Sequence, residues 1–285
     1  MTPPLPDRSR DRRIEDPTNL WIIHPAGRAL LPWFIARGVS ANAVSVCGLV
    51  LGAGAALAYA NWALWPFALL GLLLSVGWLI ADGLDGMIAR ATGTASPLGR
   101  FLDGLCDHGV FAMIYIVLAL SIGTVEGWVL AVSAGLLHAV QSSFYESERA
   151  RFHRRCRGVA VAAPVPSGNP LVLLYDGVAG IIDRFAYRFD AALSRSPSSA
   201  ALADAYGSQA TQPMRLMRLL SANTRVVAIF LACLAGNPRL FWWFEIVPLT
   251  LVLILGLAWH RAVEARLTGA ASAPLSNPES PTQRT

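Results

Sequence analysis

Residues 82–107 read DGLDGMIARATGTASPLGRFLDGLCD, and the four aspartates in that stretch decide how the whole chain is read. Asp82 and Asp85 stand three residues apart, and Asp103 and Asp107 four apart. Both spacings place the members of a pair on one face of a helix. Gly93, Thr94, Ser96 and Pro97 lie between the pairs and signal a turn. Asp85 comes nine residues before Thr94 and Asp103 nine after it. A helix, a turn and a returning helix therefore bring the pairs to the same height, facing one another. Both arms continue into apolar runs long enough to span a bilayer.

The rest of the chain agrees with a membrane setting. Hydrophobic residues make up 54% and charged residues 14%, with a mean hydropathy of +0.48. A soluble domain carries roughly 25% charge. Met1 to Asp16 is polar and rich in Arg and Pro, with no apolar centre of the kind a cleavable leader has. All 23 basic residues are arginine, a bias read as genomic composition. The net charge of +5 suits a protein lying against anionic lipid and handling an anionic substrate; nucleic acid is not expected as a partner. Cys47, Cys106, Cys156 and Cys233 have no CxxC pairing or repeated spacing, which argues against a disulfide framework or a zinc site. His108 directly follows Asp107 and is read as a neighbour of the site, not a ligand.

In chain order, 1–21 reads as a flexible cytoplasmic arm and 22–39 as an amphipathic helix in the membrane interface. Residues 40–147 hold four membrane spans and the aspartate motif, and 148–217 is a cytoplasmic insertion. Residues 218–262 hold two further spans, and 263–285 is a disordered tail. The expected fold is all-α, a bundle of six transmembrane helices at about 42–60, 65–90, 99–121, 126–147, 218–236 and 241–261, preceded by the interfacial helix. Within the insertion, Leu171, Leu174, Tyr175, Val178, Ile182, Phe185 and Phe189 recur at helical spacing, and 194–212 reads as a flexible link.

Every arginine but Arg239 falls on one side of this layout, so both termini are expected in the cytoplasm. The localisation expected is a bacterial inner membrane. Trp62, Trp65, Trp128, Trp242 and Trp243 then mark the outer ends as an aromatic belt. From Trp65 to Asp82 is roughly 26 Å of helix, and from Asp103 to Ser121 about 27 Å. Both aspartate pairs therefore sit near the cytoplasmic edge of the bilayer, at the depth of lipid headgroups.

Four clustered carboxylates repel one another, and at low dielectric their charge is costly without compensation. Arg90 and Arg100 are the basic residues at hand. Mg²⁺ or Mn²⁺ are the natural compensators, because hard cations take oxygen ligands and keep positions open for phosphate. Two such ions about 4 Å apart form the clamp used for in-line displacement at phosphorus. Gly83, Gly86, Ala89, Gly99 and Gly104 leave bare helix surface against which a flat group can lie.

The order Asp82-x2-Asp85-Gly86-x2-Ala89-Arg90-x8-Gly99-x3-Asp103-x3-Asp107 resembles, without a gap, the signature of the CDP-alcohol phosphotransferase family. Two features depart from it. Ser40-Ala41-Asn42 stands where many members have a Ser-Pro-Asn-like start, and 148–217 is longer than expected. The resemblance implies that a CDP-linked alcohol, commonly CDP-diacylglycerol, is cleaved by the hydroxyl of a second alcohol with release of CMP, in phospholipid biosynthesis. It further implies that Asp82, Asp85, Asp103 and Asp107 hold two divalent ions and that Asp107 is the general base. Asp82, Gly86, Ala89, Arg90 and Gly99 would contact the CDP group. A homodimer is also suggested by the family.

Recognition of the acceptor alcohol must come from elsewhere. Arg149, Arg151, Arg154, Arg155 and Arg225 are the candidates, with Arg149, Arg154 and Arg225 foremost. Arg225 interrupts an apolar run and so should face the bundle interior. The acceptor itself stays open between serine, inositol phosphate, glycerol phosphate, choline and others. Two other classes fit less well. Intramembrane prenyltransferases usually have more spans and an Asn-Asp-x-x-Asp-like start, whereas Asp82 follows Ala81. An ion-binding transporter would favour acidic residues near the midplane.

Overall fold

The computed structural model describes residues 11–160, 187–196 and 198–272, and all regular secondary structure among them is helical. A π-helical turn at Asn19–Ile23 leads into α1 (His24–Ala36). There follow α2 (Ala41–Tyr59), α3 (Trp65–Thr92), α4 (Pro97–Ile122) and α5 (Val125–Arg155). Within the insertion lie α6 (Tyr187–Arg195), α7 (Ser199–Gln209) and α8 (Thr211–Met217). The chain ends with α9 (Ala222–Leu234), α10 (Arg239–Phe244) and α11 (Thr250–Ser272).

Local chemistry sets the boundaries. The hydroxyls of Ser40, Ser96 and Thr124 accept from the amides of Ala43, Gly99 and Gly127, at 3.2, 3.0 and 3.1 Å. Each thus satisfies one of the orphan donors of a helix start. Gly93 and Gly123 close α3 and α4 at φ +69° and +68°, a left-handed conformation that glycine adopts without a Cβ penalty. Pro97 then opens α4, where its missing N–H costs nothing. The hairpin expected from residues 93–97 is formed.

Ala41–Tyr59, Trp65–Thr92, Gly104–Ile122 and Arg239–Gly269 are long and apolar enough to cross a membrane. A fifth candidate is the pair Thr211–Leu220 and Ala222–Leu234, bent by 44°. The expected span 126–147 falls inside α5, where Glu126, His138, Gln141 and Glu146 dilute the apolar run, and it is not among these candidates. The last span is not one smooth helix. Pro248 lacks a donor, and the backbone widens into a π-helical turn at Glu245–Leu249 between α10 and α11.

Two apolar cores result. The first joins α2, α3, α4, α5, α9 and α10 through Tyr59, Trp78, Phe111, Leu118, Ile229 and Phe241. Trp242 belongs to it, fully buried; the aromatic-belt reading of that residue is corrected, because its side of α10 faces the bundle. Trp65, Trp128 and Trp243 are exposed as a belt requires. The second core packs α6, α7 and α8 against the extended ends of α5 and α11 through Phe152, Phe189, Tyr206, Met214 and Val263.

That second core overturns the flexible-link reading of 194–212. Residues 199–209 form α7, which buries Leu202, Ala203, Tyr206 and Gly207. Its apolar stripe is too thin, among Ser and Ala, to stand out in the sequence. The arm reading likewise does not hold for residues 14–19. Ile14, Glu15 and Asp16 are buried, and Asp16 Oδ2 accepts from Ser221 Oγ at 3.2 Å. Most of the periodic stretch Leu171–Phe189, up to Phe185, lies outside the described residues; Phe189, in α6, is buried.

Candidate active site

The site is built at one end of the three-helix unit α2–α3–α4. α2 packs along both α3 and α4, and glycines on α2 permit the approach. A side chain on Gly52 would overlap the Val110 methyls, and one on Gly48 would stand 3.3 Å from the Ala81 Cβ. This close packing opens at one end into a small cleft lined by Ser45, Gly48, Trp78, Asp82, Asp85, Cys106 and Asp107. Three of the four motif carboxylates therefore line one cavity, contributed by two helices. Asp85 is buried, and Asp82 and Asp107 are half-buried. Asp103 lies on α4 one turn before Asp107; its side chain and that of Arg100 are outside what the structure describes.

Ser45 was not among the residues singled out from sequence. Its hydroxyl donates to Asp85 Oδ2 at 2.5 Å. That bond fixes one carboxylate oxygen of the motif from a third helix. The available signal was a lone hydroxyl one turn into an apolar helix. Cys106 also lines the cleft as a free thiol, as all four cysteines are free.

The small residues divide into two sorts. Gly86 carries the Arg90 guanidinium folded back over it, since a Cβ there would lie 3.3 Å from Arg90 Nη1. Gly83, by contrast, faces Ile23, so it serves packing and not an open surface. Gly99 donates its amide to the Ser96 hydroxyl as part of the α4 cap. His108 is exposed, and its Nδ1–H donates to the Gly104 carbonyl at 2.8 Å. Its ring stands edge-on to His138 of α5, with centroids 5.9 Å apart.

The arginines expected to recognise the acceptor each pair with a carboxylate of the protein. Arg225 is fully buried, and its Nε donates to Glu245 Oε1 at 2.8 Å. Its Nη2 donates to Gln141 Oε1 at 2.8 Å and its Nη1 to the Leu220 carbonyl. The inward orientation expected of Arg225 is right, and the hydrogen bonds it makes there are to protein groups. Arg149 pairs with Glu146 at 3.0 Å, and Arg154 with Asp190 at 3.3 Å.

A second carboxylate–imidazole cluster, Glu148, His260 and Glu264, has the spacing of a metal site. Three of its four carboxylate oxygens accept from arginine, and the fourth, Glu148 Oε2, stands 2.8 Å from His260 Nδ1. Glu148 accepts from Arg151 at 2.7 Å and from Arg261, and Glu264 accepts from Arg261 at 2.6 Å and from Arg155. Arg151, Arg155 and Arg261 thus pair with the two carboxylates, Arg155 also with Asp190, so the cluster as it stands is an ion-pair network.

Residues 39–152 match the family model described as CDP-alcohol phosphatidyltransferase. That stretch takes in α2, α3, α4 and most of α5, and with them every residue lining the cleft. The resemblance carried by the aspartate motif is thus borne out over this part of the chain. No curated protein and no solved structure matches the chain significantly.

Proposed function

We propose that the protein transfers a substituted phosphate, in the leading case a phosphatidyl group, from a CDP-alcohol to an acceptor hydroxyl, releasing CMP for phospholipid synthesis. The observation that carries this reading is the cleft in which Asp82, Asp85 and Asp107 meet. The three carboxylates supply oxygen donors, which suit hard divalent cations such as Mg²⁺ or Mn²⁺. When bound, such ions neutralise charge on the diphosphate and on the leaving phosphate.

The chain's own groups take the remaining work. Asp82, Asp85, Asp103 and Asp107 hold the cations. Ser45 keeps Asp85 in one orientation through its hydrogen bond. Arg90, lying over Gly86, neutralises diphosphate oxygens beside the first pair. Asp107 accepts the proton of the incoming hydroxyl, so that the oxygen attacks phosphorus as CMP departs. Trp78 and Gly48 close the apolar side of the cleft.

The membrane arrangement that fits this chemistry has six spans, with α5 crossing despite its polar residues. His138 and Gln141 are buried against Tyr115 and Arg225 instead of facing lipid. Both termini and the cleft lie on the cytoplasmic side by the arginine distribution. α1 lies on α3, with Leu30, Trp33 and Ile35 exposed along with Trp21 and Ile22 of the preceding turn, a surface suited to the headgroup layer. α6, α7 and α8, with the described chain from residue 11, pack as a cap on the ends of α5 and α11, on the side read as cytoplasmic.

The deciding experiment incubates the purified protein with CDP-diacylglycerol, Mg²⁺ and mixed alcohols, and measures CMP. Divalent-dependent CMP release that disappears in Asp107→Asn supports the reading. Release that is undiminished in Asp107→Asn removes Asp107 as base. An absence of CMP chemistry with CDP-alcohols of every chain type defeats the proposal.

A further inference from the structure

The helix that carries the first aspartate pair is gripped from behind. By helical spacing, Trp78, Asp82 and Asp85 fall on one side of α3, and Gly83 and Met87 on the opposite side. The first three line the cleft. The other two meet the chain that precedes α2. A Cβ on Gly83 would stand 3.3 Å from Ile23 Cγ2, and one on Gly27 would stand 3.3 Å from Met87 Sδ and Cε. Ile23 and Gly27 are one helical turn apart, and both are buried. Leu31 and Phe34 continue this inner side of α1 against the cluster of Val44, Ala81, Leu84 and Ile88.

The chain ahead of Ile23 is fastened outside the α2–α4 unit. Asp16 Oδ2 accepts from Ser221 Oγ, and the Glu15 carbonyl accepts from Arg218 Nη1, each at 3.2 Å. The Asn223 amide donates to Thr18 Oγ1 at 2.6 Å and to Asn19 Oδ1 at 2.7 Å. Ile23 therefore meets α3 from a seat built on α9 and the turn before it. On the cleft side, Ser45 holds Asp85 by its hydrogen bond. Close-packed contacts of this kind transmit displacement, because neither side has space to give.

We propose that Ile23 is a positioning residue for the metal site. Its contact with Gly83, together with that of Gly27 on Met87, fixes the turn of α3 that carries Asp82 and Asp85, and so sets their affinity for a divalent cation. Ile23 acts through the α3 backbone and not on the cation itself. This rests on the part of the reading above that gives these aspartates the cation.

The test uses full-length protein in nanodiscs, with Mn²⁺ affinity measured by calorimetry beside the Mg²⁺ dependence of CMP release from CDP-diacylglycerol. Ile23→Ala empties the space beside Gly83. It should weaken Mn²⁺ binding and raise the Mg²⁺ requirement by roughly tenfold, as loss of the groups that support metal ligands does. Turnover at saturating Mg²⁺ should change little. Ile23→Val keeps the methyl that meets Gly83 and should bind Mn²⁺ as the parent does. Gly27→Leu should weaken binding by crowding Met87, and adding Met87→Ala should restore it; this pair decides alone if Ile23→Ala does not fold. An Ile23→Ala protein that loses thermal stability but keeps the parental Mn²⁺ affinity makes Ile23 a packing residue only and overturns the inference. So does a parent that binds no Mn²⁺ with or without the CDP-lipid. Mn²⁺ binding that follows Ile23 as expected, with no CMP release from any CDP-alcohol, defeats the transferase reading and leaves the inference standing.

Discussion

The hydroxyl of Ser45 donates to Asp85 Oδ2 at 2.5 Å, tying α2 to the first aspartate pair on α3. A carboxylate held this way presents its other oxygen in a fixed direction. Ser45→Ala should raise the Mg²⁺ concentration needed for half-maximal CMP release by about tenfold, in keeping with groups that orient metal ligands. Ser45→Thr keeps the hydroxyl and should restore most of it. A magnesium titration of the three proteins checks both.

Asp107→Asn removes a proton acceptor while preserving shape. Turnover should fall by roughly 10² to 10⁴, with the thermal transition in detergent little changed. Asp107 is half-buried and lines the cleft instead of bracing the core. A comparable loss of thermal stability would instead make it a structural residue.

Arg225 and Glu245 should behave as a buried pair. Removing one partner, in Arg225→Ala or Glu245→Ala, should destabilise the fold by about 3–5 kcal/mol. Replacing both with apolar residues, Arg225→Met with Glu245→Leu, should recover much of that. The acceptor KM of whatever Arg225→Ala protein stays folded should match the parent. Thermal unfolding in detergent and the acceptor KM separate these outcomes.

The cap should come loose in acid. Burial alone would push the Glu148 carboxyl above its ordinary 4.5. The hydrogen bond and charge of His260, with Arg261 and Arg151, overcome this and hold it well below that value. A carboxyl depressed in the folded state contributes stability that is fully present above its unfolded pKa. That contribution is lost as pH falls toward the folded one. The unfolding temperature should therefore drop as pH is taken below 4.5, and Glu148→Gln should flatten that slope while lowering stability near neutrality.

Gly52 sets the spacing between α2 and α4. Gly52→Ala should cost roughly 1–3 kcal/mol through overpacking against Val110. Pairing it with Val110→Ala should return part of the loss, since the two changes occupy the same space.

What the sequence made legible was whatever depends on local spacing. The Asp82–Asp107 hairpin, its glycine and proline punctuation and the limits of α2, α3 and α4 all follow from patterns within a few turns. The site residues missed, Ser45 and Trp78, reach the cleft through tertiary packing, and nothing in their own neighbourhood marks them. The arginines illustrate the opposite failure. Counting them located the cytoplasmic side, but their partners Glu245, Glu264 and Asp190 lie 20 to 109 residues away, beyond any local pattern. α7 was missed because two large apolar residues, Leu202 and Tyr206, secure a helix whose remaining face is Ser and Ala.

The 44° bend at Ser221 has a consequence for how the protein sits in lipid. α9 has 13 residues, roughly 20 Å of helix against a hydrocarbon layer of about 30 Å. The shortfall is met by an elbow: α8 turns away, Met214, Met217 and Leu220 are buried, and the Arg225 side chain caps the Leu220 carbonyl at the joint. Hydrophobic mismatch along this flank is thereby absorbed by protein instead of by stretched or thinned lipid. Acyl-chain length should then matter less to the fifth span than to α2 and α3, whose uninterrupted helices must take up thickness by tilting.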